Sequence, residues 1–200
     1  MNQFLSLEVQ QNLILASASP RRREILLKLG FEFQVIPSSV NEDEVIWTDP
    51  VKVVKLLSEL KAVDVQKSHP RKTIIAADTA VVCDGRSLTK PADREDAVEM
   101  LEILSGRKHQ VITGIAVISP PNIRFIEEET TNVFFRELSR EEITSYIDSG
   151  EPFDKAGGYA IQGQASVFIE KVEGCFYNVV GLPVQRLFSI FRKLEKILDQ

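Results

Sequence analysis

The stretch NLILASASPRRREILLKLG, residues 12–30, decides the fold class. Residues 12–17 are a short, mostly apolar run of the kind that forms a buried strand. Ser19 then supplies a hydroxyl N-cap, Pro20 suits the first position of a helix, and Gly30 ends it. The unit is strand, tight turn, helix. Its oddity is that the helix opens on Arg21, Arg22 and Arg23, although the positive end of a helix dipole favours acids. A helix N-terminus is an anion cradle, because its first N–H groups have no intrahelical partner. Arginines there add charge-assisted hydrogen bonds to phosphate oxygens, and Ser17 and Ser19 add hydroxyls. Successive helical residues point about 100° apart, so at least one arginine faces solvent. The alternative is an exposed basic helix start that tolerates its dipole, at a cost of about 0.3–1 kcal/mol per residue. These residues alone leave the two readings even.

Outward from this unit, FEFQVIP (31–37) alternates as a half-buried strand and SSVNEDE (38–44) is a polar loop. Asp49 and Pro50 start a helix with Val51, Val54, Leu57 and Lys61 along one side and Val53, Leu56 and Leu60 nearby. KTIIAADTAVVCDG (72–85) reads as two apolar runs split by Asp78 and Thr79, closed by an Asp84-Gly85 turn. Asp93 caps a helix with Ala97, Met100, Leu101 and Leu104 on its apolar side. QVITGIAVIS (110–119), the hairpin signal PPN and IRFIEEETTNVFFREL (123–138) form a long strand pair. Ser139 and Glu142 make a capping box. DKAGGYAIQG (154–163) is a glycine-rich loop and SVFIEKV (166–172) a strand. Pro183 begins a last helix with Val184, Leu187, Ile190, Phe191, Leu194 and Leu198 on one side. Helices and strands alternate around a central hairpin, which predicts an α/β fold on a mixed sheet.

The chain has 200 residues, 44% of them hydrophobic and 26% charged. That is enough apolar side chain for a sizeable core. A net charge of −5 offers no global field for nucleic acid, so anion binding must be local. Cys83 and Cys175 match no metal or redox spacing and read as reduced thiols of a cytoplasmic chain. MNQFLSLEVQ is expected to be neither a signal peptide nor an anchor, and no apolar run approaches a membrane span, so no membrane partner is expected.

Several side chains are candidates for chemistry. Asp78, after four apolar or small residues, sits near the end of a buried strand, where a carboxylate requires a metal, a cation or catalytic use. The competing reading is an Asp that starts a turn, with Thr79 helping. Glu42 lies in a polar run that is a solvated loop unless a partner such as Asp78 makes it a metal ligand; the spacing is not that of a calcium loop. Lys61 and Lys90 read by themselves as solvated lysines, Lys90 on backbone made extended by Pro91. AGGYAIQG (156–163) lacks the dinucleotide fingerprint and reads as an irregular turn, yet the Gln162 amide, both donor and acceptor, suits the edge of uracil or thymine. His69 and His109 form no ligand pair or triad and read as surface or turn residues.

Taken together, LILASASPRRREIL (13–26), AADT (76–79), LTKPADREDA (88–97), LSGRKHQVITGIAV (104–117), DKAGGYAIQG and VVGLP (179–183) resemble, in that order, the Maf family of nucleoside triphosphate pyrophosphatases. The resemblance runs from about Leu13 to the last helix. It implies one Maf-like domain over residues 1–200, with residues 1–11 an N-terminal extension, and a mixed-sheet α/β fold like that of inosine-triphosphate pyrophosphatases, with flanking helices and two lobes around a cleft. It implies hydrolysis of dTTP and UTP, and of modified pyrimidine nucleotides in a housecleaning role, to the monophosphate and pyrophosphate. A divalent cation is implied, Mg²⁺ with Mn²⁺ as the alternative, and a homodimer. By motif, Ser17, Arg21 and Arg22 fall in the phosphate cradle. Glu42, Lys61, Asp78 and Lys90 are the acidic and basic site residues, Asp78 being the proton acceptor, and Glu42 with Asp78 would hold the metal. Arg21, Thr79 and Gln162 match positions tied to substrate choice, and Ala160 stands where the family pattern has glycine. The competing functions are a 7-methyl-GTP pyrophosphatase and a non-catalytic nucleotide sensor in cell division control.

Overall fold

The computed structural model describes residues 5–46 and 49–199. A short helix α1 (Leu7–Gln10) leads into β1 (Leu13–Leu15), all three of whose residues are buried. Helix α2 (Pro20–Lys28) follows, capped as expected by the Ser19 hydroxyl, which accepts from the Arg22 N–H. Next come β2 (Phe33–Val35) and a 3₁₀ turn at Glu42–Glu44. Helix α3 (Pro50–Ser68) begins where the Asp49 carboxylate takes the N–H groups of Val51 and Lys52. Its buried face is Val53, Val54, Leu57, Ser58, Lys61, Ala62 and Val65, whereas Leu56 and Leu60 face outward. Lysine, not leucine, occupies the inner side at that turn.

The expectation of two runs split at Asp78 is corrected. Residues 73–83 are one strand, β3 (Thr73–Cys83), and Asp78 lies in its interior. Asp84 and Gly85, at φ 48° and 79°, turn the chain into β4 (Arg86–Leu88). Helix α4 (Arg94–Leu104) is capped by Asp93 and buries the four apolar residues predicted. β5 (Lys108–Ser119) starts two residues earlier than the pattern suggests and is followed by β6 (Ile123–Phe135). Helix α5 (Arg140–Asp148) carries the complete Ser139–Glu142 capping box. β7 (Ile169–Glu173) is shorter than expected, because residues 164–168 coil into a 3₁₀ turn. Helices α6 (Phe176–Val180) and α7 (Val184–Leu198) complete the described chain. No helix among the described residues is long and apolar enough to cross a membrane.

Among the described residues, seven strands share a sheet in the order β2-β1-β3-β5-β6-β7, with β4 on β3. β1 runs parallel to both β2 and β3, while β4 on β3 and β7 on β6 are antiparallel. The sheet is therefore mixed, with helices flanking it.

The chain divides into two compact units. The first takes Met1–Asp78, Thr113–Glu129 and Gly181–Gln200, and the second takes Thr79–Ile112 and Thr130–Val180. Within the first, α3 lays Ala62 and Val65 on Ile14, Ala16, Ile74, Ala76, Ala116 and Ile118. Gly114 on β5 makes this packing possible, because a Cβ there would lie 2.2 Å from the Val54 carbonyl oxygen. Helix α7 buries Leu187, Ile190, Phe191 and Leu194, and Phe191 meets Phe31 at 5.6 Å between ring centroids. Glu195 on the same helix accepts from the Ser6 N–H and from Arg192.

The core of the second unit joins α4 and α5 to Val111, Val133, Phe135, Tyr159 and Phe168. His109, expected on the surface, is 1% exposed there. Its Nε2 pairs with the Tyr159 hydroxyl at 2.7 Å, and its ring meets Phe135 edge-on. Period-two alternation through Lys108-His109-Gln110 would have placed it inward, had the strand been started two residues sooner. Burial lowers its pKa from 6.5 to about 4.

Two outcomes follow for stability. Gly114→Ala forces α3 off β5 and should cost roughly 1–3 kcal/mol in urea denaturation. For His109, the unfolded chain takes up a proton below pH 6.5 that the folded protein refuses until about pH 4, so stability is lost as pH falls through that window. The loss is on the order of 3 kcal/mol, and the pH 6.5–4 slope of unfolding free energy should be shallower in His109→Gln.

Candidate active site

The first unit gathers Ser17, Arg22, Glu42 and Lys61 around Asp78, with Arg21 beside Arg22. Leu15 on β1 is in register with Ile75 on β3, and the two strands run parallel. The segment after β1, with Ser17, therefore lies alongside the part of β3 that leads to Asp78. Here Arg22 turns inward. Its Nη1 donates to the Ser17 hydroxyl at 3.1 Å and its Nε to the Gly181 carbonyl at 2.8 Å. Ser17 also accepts from the Ser19 N–H, so the hydroxyl locks both the turn and the guanidinium. Arg21 is half-buried and Arg23 exposed, as the 100° spacing requires.

Lys61 is the hub on the other side. It is 7% exposed, and its ammonium lies 2.6 Å from Asp78 Oδ1 and 2.8 Å from Glu42 Oε1. Asp78 is 6% exposed, while Glu42 reaches in from a half-open side chain on the 3₁₀ turn after β2. Burial raises the Asp78 carboxyl above the usual range, and Lys61 and Arg22 oppose the shift. Burial lowers the pKa of Arg22, and the charges of Asp78 and Glu42 hold it up. A raised carboxyl is a better proton acceptor near neutral pH than an ordinary one. The cluster thus has a basic wall, Arg22 and Lys61, against an acidic one, Asp78 and Glu42.

Among the described residues no group of three His, Cys, Asp or Glu converges as a metal cage. Two carboxylates do converge on one ammonium, so both lie within reach of a single small cation. A pair of carboxylates completed by phosphate oxygens and water is the donor set Mg²⁺ takes, and in that sense Glu42 and Asp78 fit a divalent ion.

The second unit holds the other three predicted residues. Thr79 follows Asp78 on β3 and is half-buried; along a strand it faces the opposite side. Lys90 and Gln162 are both exposed. The loop of Lys90 lies against the glycine-rich segment, since the Gly157 N–H donates to the Thr89 carbonyl at 3.0 Å. Gly158 sits against Pro91, 3.3 Å from where its own Cβ would be. Gly157 and Gly158 both have φ near 70°, a conformation glycine tolerates without strain.

Sequence reasoning assigns no role to Gly181, whose carbonyl anchors Arg22. The signal was present, since VVGLP places a glycine two residues before the proline that precedes the last helix. Gly181 has φ 113°, backbone that favours glycine.

The description "Maf-like protein" belongs to a family model that matches residues 12–194. A dTTP/UTP pyrophosphatase from Carboxydothermus hydrogenoformans is 49% identical over 182 residues, covering 90% of this chain and 96% of that one. The protein of the same name from Aquifex aeolicus is 46% identical over 182 residues, covering 91% and 95%. That from Ruminiclostridium cellulolyticum is 46% identical over 192 residues, covering 94% and 99%. With the model match spanning the cradle, the Asp78 strand and the glycine-rich loop, the chain belongs to the Maf-like protein family.

Proposed function

We propose that the protein hydrolyses dTTP and UTP to the monophosphate and pyrophosphate, in the cytoplasm and as a homodimer. The observation that carries this reading is the Arg22–Asp78–Lys61–Glu42 cluster behind a helix N-terminus, with Asp78 and Lys61 buried at its centre. Charges of both signs in one site suit a polyanion that must be held while a water attacks it. The relatives' shared name supplies the substrate class.

In this mechanism the N–H groups opening α2, with Ser17, Arg21 and Arg22, bind the outer phosphates. Asp78 takes the proton of the water that attacks the α-phosphorus, and the α–β phosphoanhydride bond breaks. The charge left on pyrophosphate is neutralised by Arg21, Arg22 and Lys61. Glu42 and Asp78 would hold a divalent cation, Mg²⁺ or Mn²⁺, which when bound would supply Lewis acidity toward the phosphate. Lys90 is assigned to phosphate oxygens, Thr79 to substrate choice and Gln162 to the pyrimidine edge.

The test is release of pyrophosphate from dTTP, UTP and 7-methyl-GTP in the presence of Mg²⁺. Turnover of the two pyrimidine nucleotides over 7-methyl-GTP is expected; binding of all three without release would make the protein a sensor instead. Asp78→Asn should lower kcat by ~10²–10⁴ with an unchanged circular dichroism spectrum, and near-wild-type turnover removes Asp78 from the mechanism. Gln162→Ala should raise KM for dTTP and UTP about tenfold, the equivalent of roughly one to two lost hydrogen bonds. An equal loss on every nucleotide would show that Gln162 does not read the base.

A further inference from the structure

Gln162 is exposed, and an exposed amide on a glycine-rich turn recognises nothing unless the turn is held. The structure holds it through one carboxylate. Glu151, in the 3₁₀ turn after α5, accepts the Gln164 N–H on Oε2 at 3.0 Å. On Oε1 it accepts the Tyr146 hydroxyl at 3.1 Å. Tyr146 is anchored on the buried face of α5, and the Gly163 N–H donates to the Ala160 carbonyl at 3.1 Å, closing the turn that carries Gln162. The Gln162 turn, closed by the Gly163–Ala160 bond, is therefore tied at Gln164 to the Tyr146–Glu151 pair.

Two further contacts show how closely the turn is moulded on that carboxylate. A Cβ at Gly163 would lie 2.0 Å from Glu151 Oε1, so a side chain there would displace the carboxylate. The Glu151 backbone is fixed as well, since Lys155 Nζ donates to its carbonyl at 2.6 Å. A helix-turn carboxylate with these partners has a steric and a hydrogen-bonding reason to be where it is, and neither belongs to the phosphate chemistry.

We propose that Glu151 is a positioning residue for base recognition, its carboxylate setting the conformation of residues 160–164 and so the direction of the Gln162 amide. The inference rests on Gln162 reading the pyrimidine. Glu151 touches no substrate; it acts through Gln162. Its effect falls on nucleotide binding and spares the binding of a polyphosphate that has no base.

The experiment compares wild type, Glu151→Ala, Glu151→Gln, Gln162→Ala and the Glu151→Ala/Gln162→Ala double variant. KM and kcat are measured for dTTP and UTP, with inorganic tripolyphosphate as competitive inhibitor and thermal midpoints in parallel. Glu151→Ala should raise KM five- to tenfold with kcat within twofold and the tripolyphosphate inhibition constant unchanged. Glu151→Gln keeps one acceptor for two donors and should fall between, which preserves the test if the alanine variant is poorly folded. The double variant should be no worse than Gln162→Ala, because the carboxylate has no other route to the base. The inference is overturned by an unchanged KM in both Glu151 variants, by a parallel rise in the tripolyphosphate constant, or by multiplication of the two single effects. If wild type turns over neither dTTP nor UTP, or if Gln162→Ala leaves KM unchanged, the reading of Gln162 itself falls and takes this inference with it.

Discussion

A carboxylate in the interior of a buried strand is costly unless a cation meets it. Asp78, in the middle of β3, meets Lys61 at 2.6 Å, and much of the first unit is arranged so that this contact can exist. Lys61 has to point into the protein, so α3 presents it on its buried face and turns Leu56 and Leu60 outward. The helix must approach the sheet closely enough for the ammonium to reach, and Gly114 removes the side chain that would prevent it. Glu42 then shares the ammonium and Arg22 supplies a second positive charge nearby. Pairing alone would not require so many charges. The surplus is what gives the cluster a chemical meaning.

Local chemistry in the sequence specified most of the framework. Ser19, Asp49, Asp93 and Ser139 each cap the helix that their spacing announces. The apolar set on α4 was readable residue by residue. At Asp78 and at His109 a short polar signal masks a longer strand. Asp78-Thr79 looks like a break in β3, but strand hydrogen bonding uses only the backbone and tolerates a polar pair if the side chains find partners elsewhere. His109 looked like part of a turn for the same reason, and its inward position depends on Tyr159, fifty residues on.

The site was legible to a different extent. Arg22 and Asp78 could be singled out as misfits, a cation at the positive end of a helix and an anion in an apolar run. Glu42 and Lys61 carry no such mark. Each has an ordinary solvated setting in the sequence, and only the parallel pairing of β2 with β1 and of β1 with β3, together with the crossing of α3, brings them to Asp78. Glu151 was invisible for a further reason: its partners are the backbone N–H of Gln164 and the hydroxyl of Tyr146, and neither residue type advertises a carboxylate.

The uninterrupted course of β3 through Asp78 bears on how the protein inactivates. Many catalytic groups ride on loops, where local fraying can silence a site while the fold survives. Asp78, the proton acceptor proposed above, is fixed to a strand lying between β1 and β5, so its backbone amide should belong with the most slowly exchanging protons of the molecule. Heat should therefore release the Asp78 carboxylate from its setting only when the sheet itself melts, in one cooperative event.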